Sequence, residues 1–116
     1  LVEPYCPDSG DFIWINFDPQ AGHEQAGHRP AIVLSPRSFN RRVSLAFICP
    51  ITSKRKDYPF EVMLPPHPRL KGVVLCEHLR SLDWQARKAT FIGKAPENLL
   101  IEIRDVVAAI AGIDFE

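Results

Sequence analysis

Side chains suited to proton transfer and anion binding gather in two short stretches of this chain. Glu24, His28 and Arg29 lie together in a polar segment, and Thr52 is followed by Lys54, Arg55 and Lys56. A guanidinium grips phosphoryl oxygens through two parallel donors and keeps its charge. A threonine hydroxyl can donate to such an oxygen or orient an attacking group. A carboxylate or an imidazole can take up the proton that a nucleophile must lose. A basic loop adds affinity for a polyanion with little reading of its sequence. Each residue also has a plainer reading: a surface arginine, a turn hydroxyl capping local backbone, a loop acid. Residue type alone leaves both open.

Composition bounds the rest. A chain of 116 residues fits one domain over 1–116, with 46% hydrophobic and 24% charged residues, a globular balance rather than a disordered one. No apolar run approaches the 18 residues that suggest a membrane span, and no signal-peptide pattern opens the chain. Cys6, Cys49 and Cys76 are odd in number and widely spaced, which matches neither a disulfide framework nor a zinc site. Cys49 and Cys76 sit in apolar runs and read as small buried hydrophobes; a cytoplasmic setting is expected. The net charge of zero argues weakly against nucleic acid, but it hides a segregation. Residues 1–24 carry five acids and no base, residues 25–56 seven bases and no acid, and residues 97–116 five acids and one base. A neutral protein can present a local positive face in this way, although a mixed soluble surface has the same composition.

Eleven prolines and six glycines divide the chain into pieces short enough for strands. Asp11–Phe17 alternates Phe12, Trp14 and Asn16 with Ile13, Ile15 and Phe17, a strand with two apolar faces. Asp18–Arg29 reads as a long, polar, mobile loop. Further strands are expected at 30–34, 45–51, 59–64, 73–76 and 89–92, with a turn or single helical turn at 37–40 and a turn at 82–86. Leu99, Leu100, Ile103, Val106, Val107 and Ile110 follow the spacing of an amphipathic helix over about 96–111, with Pro96 and Glu97 at its start and Gly112 as its stop. These elements predict a mainly β fold with short helices: a small, strongly curved antiparallel barrel plus a C-terminal helix.

Several segments together resemble the MazF/PemK-type toxins of type II toxin–antitoxin systems, closest to the MazF branch. They are Pro7–Trp14 with Phe17-Asp18-Pro19, Gly22–Ala31 with Val33-Leu34-Ser35, Pro50–Ser53, Tyr58–Val62 and Arg80–Arg87. No single segment is decisive; their order and spacing across nearly the whole chain are specific. The resemblance implies an SH3-like barrel of the MazF/PemK/CcdB type that forms a homodimer. It also implies metal- and cofactor-independent cleavage of single-stranded RNA, chiefly mRNA, at short motifs, leaving 2′,3′-cyclic phosphate and 5′-hydroxyl ends. The expected partner is a MazE-like antitoxin with an acidic, flexible tail. Because CcdB-like topoisomerase poisons share the fold, a non-catalytic binding protein is the alternative.

On this resemblance Arg29 is the catalytic arginine, assigned to transition-state stabilisation, and Thr52 positions the phosphate or the 2′-hydroxyl. Glu24 is the candidate base, with His28 as its rival, although alternation with Arg29 can turn His28 away from the site. Lys54, Arg55, Lys56 and Tyr58 are expected to contact RNA, with Phe17 as a less favoured stacking group. Glu77-His78 stands where relatives often carry Asp-Gln, and it is assigned to RNA contact with an altered preference. Ser53–Asp57 is more charged than the Thr-Gln-Ser-Lys-Gly pattern it resembles. Trp14 and Trp84 are read as core or dimer-interface aromatics.

Overall fold

The computed structural model describes residues 4–18 and 27–113. The expected mobile loop lies largely outside them, Glu24 included. Among the described residues, seven strands and two α-helices follow one another: β1 (Asp11–Asn16), β2 (His28–Val33), α1 (Arg37–Val43), β3 (Ala46–Thr52), β4 (Glu61–Met63), β5 (Val73–Leu75), β6 (Arg80–Leu82), β7 (Thr90–Lys94) and α2 (Glu97–Ile110). A short 3₁₀ turn over Cys76–His78 links β5 to β6. The fold is β-rich and antiparallel with a C-terminal helix, as expected for an SH3-like barrel.

The strands run in the order β4-β5-β3-β2-β1-β7, and β6 also pairs with β3. β3 is the hub. One edge pairs with β2; the other pairs with β6 over Ala46–Ile48 and with β5 over Ile51–Thr52. Pro50 falls between those two partners, where its missing N–H is tolerated. A register shift between Phe12 and Ile13 in the β1–β7 pair bends the sheet, as bulges do.

The period-two alternation sorts the core into two clusters. Phe12, Ile32, Cys49, Ile51, Val74 and Ile92 bury one face against Leu99, Leu100 and Ile103 of α2, with Trp14 beside them. Ile13, Ile15, Phe17, Ala31, Val33, Ala46, Ile48 and Leu82 bury the other, closed by Tyr5 and Trp84. The two faces read from β1 are therefore correct. Phe17 is fully buried, so it belongs to the core and has no face free to stack on a base. The Trp84 indole N–H donates to the Asn40 carbonyl at 3.0 Å. Cys6, Cys49 and Cys76 are all buried free thiols. Burial, then the nearby Glu77 charge, pushes the Cys76 thiol up to about 12.

Local chemistry explains where elements depart from the expected bounds. α1 has two turns rather than one because its N-terminus is capped from a distance. The Asp8 carboxylate accepts the Arg37 N–H at 2.9 Å, whereas Pro36 supplies no side-chain cap. α2 ends as expected: Ile113 N–H reaches the Ala108 carbonyl and Gly112 N–H the Ala109 carbonyl. Gly112 has φ +80°, and the two bonds form a Schellman cap. β4 is shorter than expected, since Tyr58–Phe60 is a turn whose Tyr58 carbonyl accepts the Glu61 N–H. β6 was not anticipated. Its three residues, Arg80-Ser81-Leu82, bury only Leu82, too little apolar pattern to mark a strand. Among the described residues, no helix is long and apolar enough to cross a membrane.

Candidate active site

The end of the β2–β3 ladder brings two of the sequence-selected residues together. β2 and β3 pair Ala31 with Pro50 and Val33 with Ile48. Beyond the last of those pairs, Arg29 on β2 and Thr52 on β3 lie at the same end of the two strands and line one cleft. Arg29 thus belongs to a strand rather than to the loop in which sequence left it, and β3 carries Thr52 as its last residue. Rigid placement of this kind is what a catalytic pair needs.

Both residues line a cleft of about 460 Å³ with Lys54, Lys56, Tyr58, Glu61, Leu75 and His78. Its ionic lining is three cations and one carboxylate, so the cleft favours anions. Thr52 is buried at 8% exposure. Its Oγ1 accepts the Lys54 N–H at 3.2 Å, which fixes the start of the basic loop and leaves the hydroxyl proton available to donate. Tyr58, 55% exposed, also lines the cleft.

Hydrogen bonds join residues 17–18 to Gly27, on either side of the segment bearing Glu24. Phe17 N–H donates to the Gly27 carbonyl at 2.8 Å, and Gly27 N–H to Asp18 Oδ1 at 2.8 Å. The Arg87 guanidinium then donates to the Asn16 and Asp18 carbonyls at 3.1 and 2.8 Å. Arg80 also packs its guanidinium 5.9 Å from the Phe17 ring centroid. These contacts tie β1 to β2 next to Arg29.

The family model of PemK-like, MazF-like toxins of type II toxin–antitoxin systems matches residues 8–111. The chain belongs to this family. It is 49% identical over 100 residues to the endoribonuclease toxin MazF of Escherichia coli strain K12, covering 85% of this chain and 89% of that protein. A crystal structure of MazF from Deinococcus radiodurans superposes with a TM-score of 0.91 at 50% identity, covering 95% of this chain and 100% of that one. A MazE–MazF structure from the same organism gives a TM-score of 0.84 at 43% identity, covering 96% and 100%.

The other residues selected as the site of a MazF/PemK-type protein divide by position. Lys54, Lys56, Tyr58 and His78 line the cleft. His28 does not: it is exposed, and its ring stacks on Trp14 with centroids 5.6 Å apart and planes 11° apart. Strand alternation puts it on the face opposite Arg29. Arg55 turns out of the cleft and pairs with Asp57 at 2.7 Å. Glu77 is exposed on the 3₁₀ turn and is not part of the cleft lining. Glu24 lies outside the described residues. Among the described residues, no group of three His, Cys, Asp or Glu side chains is arranged to hold a metal ion.

Two contributors escaped sequence reasoning. Glu61 lines the cleft, and its carboxylate accepts the Lys56 N–H with both oxygens at 3.3 and 3.2 Å. Its alternation with buried Val62 put it on the open face of a strand, a signal available but unused. Gly72, at φ +114°, lets β5 approach the site: a Cβ there would lie 2.0 Å from the Thr52 carbonyl oxygen. Proximity of that kind leaves no trace in local sequence.

Proposed function

We propose that this protein is a metal-independent endoribonuclease toxin that cuts single-stranded RNA at short sequence motifs, inhibiting translation and growth. The observation that carries this reading is that Arg29 and Thr52 line one basic cleft, in a chain of the MazF/PemK-type family.

RNA supplies its own nucleophile. Deprotonation of a 2′-hydroxyl lets its oxygen attack the adjacent phosphorus while the 5′-oxygen leaves and takes up a proton. The products are a 2′,3′-cyclic phosphate and a 5′-hydroxyl. Negative charge grows on the non-bridging oxygens in the pentavalent transition state, and a preorganised guanidinium stabilises it there. Arg29 has that role. Thr52 donates its hydroxyl proton to the phosphate or aligns the 2′-oxygen while still accepting the Lys54 N–H. Lys54 and Lys56 hold neighbouring phosphates, and Tyr58 offers a stacking face. Glu24 is the base favoured over His28, because the His28 ring is occupied on Trp14 across the strand from Arg29. His78, on the cleft wall, contacts the substrate. Arg55 and Glu77, outside the cleft lining, contact the outer path of the RNA strand.

One domain over residues 1–116 carries this activity in the cytoplasm, as a homodimer. Its inhibitor is a MazE-like antitoxin, a partner present in the MazE–MazF structures of the relative. An acidic tail is attracted to the same cleft that attracts RNA. The test is to map cut sites and end groups on a long defined RNA in EDTA. Discrete cuts with cyclic-phosphate ends are expected. Absence of cutting, together with tight binding to a topoisomerase, would favour a non-catalytic poison instead.

A further inference from the structure

A carboxylate in a cleft built for phosphates works against affinity unless it recognises something else. Glu61 is half-buried, lines the same cleft as Tyr58 and His78, and forms no ion pair with Lys54 or Lys56 among the described residues. Its bonded neighbour is the Lys56 backbone N–H, shared between its two oxygens. One shared N–H leaves several lone-pair directions on an acceptor-only group. A phosphate brought there is repelled, whereas an N–H donor is attracted.

We propose that Glu61 reads one nucleotide of the bound strand, selecting a base with an exocyclic amino group (adenine, cytosine or guanine) against uracil. This rests on the reading of the cleft as an RNA site. Uracil flanks its single N–H with two carbonyl oxygens, which face a carboxylate unfavourably. A carboxylate accepting from an amino group is a recurring base contact. Base edges are free for such pairing in a single strand held by stacking, and the exposed Tyr58 lines the same cleft. Glu61 has a second task, clamping the basic loop through Lys56. Glutamine separates the two: its carbonyl oxygen still accepts the Lys56 N–H, while its new amino group can donate to a uracil oxygen.

The experiment measures anisotropy-detected binding of non-cleavable 2′-deoxy oligonucleotides in which each position in turn carries A, C, G or U. Wild type, Glu61→Gln and Glu61→Ala are compared. Wild type should disfavour U at one position by roughly fivefold or more. Glu61→Gln should remove or reverse that penalty there and leave other positions unchanged; Glu61→Ala should remove it and also weaken binding generally as the loop loosens. A wild-type profile without a uracil penalty overturns the proposal, as does a Gln variant with the same profile or a uniform loss. Ribose versions of the oligonucleotides are assayed for cutting in parallel. A Glu61-dependent penalty without cutting retires the nuclease reading alone, whereas cutting with a profile unmoved by Gln retires the Glu61 assignment alone.

Discussion

Removing the Thr52 hydroxyl while keeping its shape separates a chemical from a structural role. Thr52→Val preserves the β-branched body packed at 8% exposure and deletes Oγ1. The structural loss is the 3.2 Å bond from the exposed Lys54. Water can replace it, so the stability cost is at the low end of about 0.5–1.5 kcal/mol, or a few degrees in Tm. The chemical loss is a hydrogen bond to a charged phosphorane, worth about 1.5–3 kcal/mol. At about 1.4 kcal/mol per decade, that is roughly a 10- to 150-fold fall in rate. Thr52→Ser keeps the hydroxyl and should retain most of the activity. Single-turnover cleavage of a mapped oligonucleotide in EDTA, alongside thermal melts, measures both terms. A valine variant within about threefold of wild type, or a serine variant as slow as valine, would refute a hydroxyl role in the reaction.

Other perturbations probe the frame around the pair. Gly72→Ala places a methyl against the Thr52 carbonyl at a strained φ and should cost about 2–4 kcal/mol in chemical denaturation, with cleavage falling alongside; a neutral outcome would contradict the close approach. Glu24→Gln should lower the single-turnover rate at least tenfold and flatten the acid side of its pH profile, whereas His28→Gln should leave the rate within a few fold; reversed effects would make His28 the base. The Arg37 backbone N–H, outweighing the opposing effect of burial, holds the Asp8 carboxyl below its ordinary value. Its stabilisation is therefore fully present above the unfolded-state pKa and is lost as pH falls through the lower folded-state value. Asp8→Asn should accordingly lower Tm at neutral pH and show a shallower acid decline than wild type; parallel curves would exclude the cap.

Legibility in the sequence tracked how local each cause was. Alternation in Phe12–Phe17 disclosed both faces of β1, and the spacing from Leu99 to Ile110 disclosed α2, because each pattern is written within one element. Arg29 and Thr52 were found through family-like segments; Thr52 stands at the end of β3, as that resemblance implies, whereas Arg29 was assigned to the loop and belongs to β2. Arg29 joins β2 because pairing with Ile15 extends the ladder, a contact fixed by β1 and not by residues around position 29. Arg55 was grouped with its basic neighbours, but its alternation with Lys54 and Lys56 and its pairing with Asp57 take it elsewhere. α1 exceeded one turn because its cap comes from Asp8. Glu61 and Gly72 were overlooked because their importance arises from what the fold sets beside them.

The proposed chemistry turns on Arg29 stabilising charge on the phosphate during cleavage. Single-turnover cutting of a mapped RNA in EDTA by Arg29→Ala, with its Tm measured in parallel, addresses it most directly. The rate should fall at least about a hundredfold with the melting transition retained, and wild type should not cut when the scissile nucleotide carries a 2′-deoxy sugar. An Arg29→Ala variant that cuts at the wild-type rate, or persistent cutting of the deoxy substrate, would contradict it.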